Sequence, residues 1–363
     1  MPVTVVAPPP TSLTQIAGRL EPVLRDTLRV QRETWSAVDP DLAEPLAALE
    51  LAVLGGGKRL RPAFAWWGWR CAGGDPDSSP APAAIDRLGA ALELLHAFAL
   101  IHDDVMDGAA TRRSVPTTHA TFSHWHAAED GRGETRRFGE SVAILVGDLA
   151  HVQANLLMSD AAPATGALWH ELQVELMLGQ YLDVLHTATG DASDEQARRI
   201  ARLKSGRYTI EQPLRLGASL PHQSPSHAAE LERHLLGYGE PLGMAFQLRD
   251  DVLGVVGDPA ITGKPVGDDL REGKSTVILA LARQHGSVSQ RALLDRVGDP
   301  RLTAHDVADL QQILVDTGAL EAVDAEIETL TAAAIDAITT APAPDDAVEA
   351  LVELARFVAA RGY

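Results

Sequence analysis

Apolar residues recur at steps of three and four along almost the whole chain, and the every-other alternation of a half-buried strand is scarce. That regularity predicts an all-α protein. Helices are expected over about 12–37, 41–54, 58–72, 81–107, 139–160, 164–188, 194–209, 225–256, 274–285, 303–316, 318–340 and 345–361. Breakers fall between them: Gly55-Gly56-Gly57, the run from Gly73 to Pro82, the Gly-, Arg- and Glu-rich stretch 128–139, and Pro342 to Pro344. With no short repeat and no shift in composition, the expectation is one large bundle of about 10–13 helices around a central cavity. It spans 11–363 behind a disordered tail at 1–10.

Two of these helices share a plan. Residues 88–101 form an apolar rod ending in His102-Asp103-Asp104-Val105-Met106-Asp107, and residues 235–249 form a second ending in Asp250-Asp251. Asp103 and Asp107 stand four apart, so on a helix they share a face one turn from each other. Like charges there repel, and the C-terminal end of the macrodipole disfavours them further. A lone pair of aspartates would read as a solvated helix end; two such tips together point to a cation that offsets them. Mg²⁺ suits the donor set, because it keeps several waters and is held by one or two carboxylates plus substrate phosphates. His119, His124 and His126 cluster without a Cys partner in what reads as a polar loop, so they are expected to be surface histidines.

The cations support the same direction. Of 31 basic residues only four are lysines, and Lys58, Lys204, Lys264 and Lys274 fall in GGGKRLRP, LKSGRYT, TGKPVGDD and REGKST. Lysine is a compact point charge where arginine is a planar fork, so short Gly- and Ser-punctuated segments that keep it suggest phosphate contacts. A net charge of −19 argues against nucleic acid as a partner. Nothing approaches a membrane span or a secretory leader, and the single Cys71 rules out an intrachain disulfide, so a cytoplasmic protein without membrane insertion is expected.

In sum over about 50–285, these segments resemble the trans-prenyl diphosphate synthases, such as the farnesyl and geranylgeranyl enzymes. GGGKRLRP is similar to that family's early basic motif, DDVMD with Arg112-Arg113 to its first aspartate-rich motif, and KSGRYT to its Lys-Thr segment. FQLRDDVLG and TGKPVGDDLREGKST resemble its second aspartate-rich region. The resemblance implies an isoprenoid-synthase fold and a homodimeric, Mg²⁺-dependent prenyltransferase that adds isopentenyl diphosphate to an allylic diphosphate, with about three ions per site. Asp103, Asp107 and Asp250 would be the metal ligands, supported by Asp104 and Asp251. Arg112, Lys204, Gln247 and Lys264 would meet the allylic diphosphate, with Lys274 further out. Lys58, Arg61, His96 and Arg113 would hold isopentenyl diphosphate. Gln180 and Asp183 resemble a polar pair lining the cavity, and Tyr208 and Thr209 are expected to be structural. A lone His in an apolar helix is usually a core residue; the resemblance gives His96, seven before Asp103, a diphosphate instead.

Phe98 and Ala99, five and four before Asp103, resemble the residues that limit product length, and DDVMD lacks a two-residue insertion. Geranylgeranyl diphosphate is therefore the expected product, with farnesyl diphosphate next. The second motif departs from DDxxD, because position 254 is Gly. A class I terpene cyclase is a rival, yet Asn155 and Ser159 are followed at the next step by Pro163, which breaks the cyclase triad. A non-catalytic regulatory subunit would not need the intact DDVMD.

Overall fold

The computed structural model describes residues 8–77, 81–189, 193–221, 224–257, 267–299 and 301–360. The described residues are helical apart from connections and one two-stranded hairpin, in agreement with the all-α expectation. They fall into two compact units.

One unit comprises residues 11–166 and 216–222. It holds α1 (Thr11–Ser36), α2 (Ala43–Leu54), α3 (Leu60–Cys71), α4 (Ala81–Asp107), α5 (Thr118–Ala128) and α6 (Thr135–Leu157). α1 turns Leu13, Ile16, Leu20, Leu24 and Leu28 inward at helical steps. The rod of α4 is its centre: Leu88, Leu92, Leu94 and Leu95 are wholly buried. Each contributes roughly 2 kcal/mol by leaving water.

Two features here escaped sequence reading. A hairpin pairs Thr111–Arg112 with Val115–Pro116, and its turn puts Arg113 and Ser114 at φ of 53° and 63°. Two consecutive left-handed residues are what a two-residue hairpin turn needs, although neither is glycine. The second is α5. His119 and His126, expected on the surface of a loop, lie on this helix and are buried. α6 can press onto them because Gly139 has no side chain: a Cβ there would overlap the His119 carbonyl and the Ser123 hydroxyl. The His126 ring also packs on Phe138, 4.7 Å between centroids.

The other unit comprises residues 1–10, 167–215 and 223–363. It holds most of α7 (Pro163–Thr189), α8 (Asp194–Ile200), and, after 223, α10 (Pro225–Val256), α11 (Asp268–Glu272), α12 (Val277–His285), α13 (Val288–Leu294), α14 (Ala304–Asp316), α15 (Ala319–Thr339) and α16 (Asp345–Ala359). α9 (Gln212–Ala218) begins in this unit and ends in the other. The central rod is α10, tied to α16 where the Tyr238 hydroxyl donates to the Leu351 carbonyl (2.7 Å) and Arg249 Nε donates to Ala359 (2.9 Å).

The segment expected as one helix over 194–209 is divided. α8 is capped by the Ser193 hydroxyl, and from Ala201 to Glu211 the backbone widens into a π-helix carrying Lys204, Tyr208 and Thr209. Gly206 faces Gly243 of α10 so closely that a Cβ on either would sit 2.9 Å from the other's backbone. π-type winding is rare and concentrates at functional sites.

Candidate active site

The acidic tip of α4 divides by helical phase. Asp103 and Asp107 are half-buried on one face, while Asp104, rotated away, is buried. Asp104 accepts from Arg112 Nε of the hairpin at 2.7 Å, and Arg112 also reaches Asp103 at 3.4 Å. Two turns inward, four guanidiniums act on His96. Burial, then Arg61, Arg113, Arg112 and Arg59, hold its imidazole well below the usual histidine range, so it stands neutral among cations. Burial and the neighbouring Arg112 and Arg59 also depress Arg113. Such crowding of positive charge calls for an anion. Lys58 is exposed in the segment between α2 and α3, and the Arg113 side chain donates to the Gly56 carbonyl of that segment.

Below the acidic tip, Phe98 is buried and stacks on His151 of α6, ring centroids 4.8 Å apart. Its edge meets His102 at 4.7 Å, and the His102 ring rests against Gly147, where a Cβ would overlap it. Ala99 is half-buried next to it.

In the other unit the last turns of α10 bring Gln247, Asp250 and Asp251 together. Gln247 donates to Asp251 Oδ1 at 2.6 Å. Burial first, then nearby Asp269 and Asp250, raise the Asp251 carboxyl well above its ordinary value, against the Gln247 hydrogen bond and Lys274. Such an excess of carboxylate fits a divalent cation. Among the described residues no group of three or more His, Cys, Asp or Glu is gathered as a metal cage.

Gly254 has a steric cause. The Asp269 carboxylate lies where a Cβ at 254 would stand. Gly254→Asp, which restores the familiar third aspartate, must turn the Asp269 carboxylate aside and sets a like charge four residues after Asp250, so it is expected to cost about 1 kcal/mol, read as a thermal midpoint lowered by a few degrees. A variant that melts like the parent would refute this reading of Gly254.

Lys204 Nζ lies 2.6 Å from Asp183 of α7. The close approach is built in, since a Cβ at Gly179 would come 2.6 Å from the Lys204 backbone nitrogen. Gln180 is half-buried, Tyr208 and Thr209 are buried, and Lys274 pairs with Glu272 at 2.7 Å. Lys264 lies outside the described residues. Sequence reading missed Glu93, Arg59 and Asp269. The available signals were an acid one turn before His96 inside an apolar rod, a second cation in GGGKRLRP, and a carboxylate pair soon after the lone Gly254.

A sequence model described as polyprenyl synthetase matches residues 44–315. The chain belongs to that family. As a polyprenyl synthetase it is an enzyme, a prenyltransferase. It is 33% identical over 317 residues to a geranylfarnesyl diphosphate synthase of Aeropyrum pernix, covering 85% of this chain and 91% of the relative. A geranylgeranyl diphosphate synthase of Mycobacterium tuberculosis is 34% identical over 295 residues, 78% of this chain and 76% of the relative. Among solved structures, the geranylgeranyl pyrophosphate synthase of Corynebacterium glutamicum, complexed with isoprenyl diphosphate and magnesium, aligns with a TM-score of 0.91 and 38% identity. That match covers 96% of this chain and 99% of the other. Among its described residues the polyprenyl synthetase has no helix long and apolar enough to cross a membrane.

Proposed function

We propose that this chain joins isopentenyl diphosphate head-to-tail to an allylic diphosphate, and that its product is geranylgeranyl diphosphate. The observation that carries the reading is the pairing, on one helix, of His96 among arginines with the Asp103 and Asp107 carboxylates two turns on. The middle of that helix suits an anion and its acidic tip a cation.

Asp103, Asp107 and Asp250 would hold about three Mg²⁺ ions, which supply charge neutralisation to a departing diphosphate. Arg112, Lys204, Gln247 and Lys264 would grip the allylic diphosphate, with Lys274 further out. Its C–O bond breaks with the electron pair leaving on the diphosphate. Lys58, Arg61, His96 and Arg113 would seat isopentenyl diphosphate so that its double bond attacks the allylic carbon. The apolar face of α4 keeps water from the intermediate cation. No side chain is assigned as base; the released diphosphate takes the proton.

Residues 11–363 are read as one catalytic domain acting in the cytoplasm, since the family match runs unbroken through 44–315. A homodimer fits the exposed apolar stripes of Leu145, Val152 and Leu156 on α6 and of Val174, Leu178, Tyr181 and Leu185 on α7. The test is incubation of the purified chain and Mg²⁺ with radiolabelled isopentenyl diphosphate and each of dimethylallyl, geranyl and farnesyl diphosphates. All three starters should converge on a C20 product. Label that stays in isopentenyl diphosphate with every starter would overturn the reading.

A further inference from the structure

We propose that Glu93 is a positioning residue for the isopentenyl diphosphate pocket, acting by clamping Arg59 and so fixing the loop that presents Lys58 and leads into Arg61. The inference rests on the assignment of that pocket to Lys58, Arg61, His96 and Arg113.

The three cations of GGGKRLRP are not equivalent. Lys58 is exposed and Arg61 half-buried, whereas Arg59 is only 8% exposed and turns away from solvent. There its Nη1 meets the carboxylate of Glu93, 4% exposed on α4, and its Nη2 donates to the Val53 carbonyl in the last turn of α2 at 2.8 Å. One guanidinium thus ties together the end of α2, the start of α3 and the middle of α4.

The loop it closes follows an unusual backbone path. Gly56 and Gly57 sit at φ of 95° and 146°, and Arg59 itself is left-handed at φ 51° and ψ 39°, immediately before α3. A residue with a Cβ adopts that conformation only when its surroundings over-determine it. The anchored guanidinium does so. Arg113 converges on the same loop from the hairpin through the Gly56 carbonyl.

Glu93 cannot serve as a phosphate ligand, because its charge would repel the anion. It lies three residues before His96 on the same helix face, beneath the arginines. Its negative charge also supports the Arg113 cation against the depression by Arg112, Arg59 and Arg61. A buried carboxylate paired with a buried guanidinium is costly to break from one side, since the partner is left charged and unpaired. Loss of Glu93 should therefore loosen the loop and misplace Lys58 and Arg61.

The test measures kinetics of Glu93→Gln beside Lys58→Ala and Arg61→Ala. Glu93→Gln should raise KM for isopentenyl diphosphate by about tenfold or more, leave KM for the allylic substrate within about twofold, and change kcat little. Glu93→Asp should recover part of the loss. If Glu93→Gln fails to fold, the double variant Glu93→Leu with Arg59→Met removes both charges and should fold while still showing the raised KM. An unchanged isopentenyl KM in the Glu93 variants alone, with Lys58→Ala and Arg61→Ala impaired, overturns the inference. An unchanged KM in all of them overturns the pocket assignment and the inference with it.

Discussion

Asp103→Ala is expected to lower kcat by roughly a thousandfold, the scale seen when one preorganised stabiliser of developing charge is removed. The geometry explains why so much should hang on one carboxylate. Asp103 and Asp107 share a face of α4, while Asp104 is turned aside and taken by Arg112. Truncating Asp103 leaves a single carboxylate on the face of α4 proposed to meet the metal, too few to hold an ion against a diphosphate. The fold should not suffer. Asp103 is half-buried, its contact with Arg112 is long at 3.4 Å, and it sits where the helix dipole is unfavourable to an anion. Far-UV circular dichroism and the thermal midpoint should match the parent, and raising Mg²⁺ should recover only a small part of the activity. Turnover within a factor of three of the parent, at ordinary Mg²⁺, would remove Asp103 from the metal site.

How far the chain could be read in advance follows from the range of the interactions involved. α4 and α10 were legible to the residue, at 81–107 and 225–256, because an apolar rod with an abrupt polar end is a local pattern. The hairpin at 111–116 was not, since its turn rests on Arg113 and Ser114 taking positive φ without glycine. Position 139 concealed α5: the burial of His119 and His126 depends on a glycine in another helix. Nor does a single sequence distinguish π from α winding when the close approach of Gly206 and Gly243 lies over thirty residues away along the chain. At the candidate site, charges bunched in motifs were visible. Their partners were not: Glu93 reads as one polar interruption of α4, and the reason for Gly254 resides in Asp269, well separated from it along the chain.

Phe98→Ala is expected to move the product from C20 to longer chains, by one or two five-carbon units. Phe98 lies on α4 five residues before Asp103, so a chain growing away from a diphosphate held at the acidic tip runs along the helix towards this ring. The ring cannot swing aside easily. It is clamped between the stacked His151 and the edge-on His102, and His102 is itself pinned on Gly147 with Nε2 3.0 Å from the Ile144 carbonyl. Aromatic contacts of this kind add about 1 kcal/mol each beyond area burial, enough to make the ring a wall rather than a gate. Truncation to Ala opens a cavity and costs about 3 kcal/mol of stability, so the assay is run well below the lowered midpoint. His151→Ala, which frees the ring without removing it, should shift the distribution part-way. Products are dephosphorylated and resolved by chain length after incubation with farnesyl diphosphate and labelled isopentenyl diphosphate. If Phe98→Ala gives the parental distribution, the ring does not bound the growing chain, and the assignment of a C20 product loses its structural support.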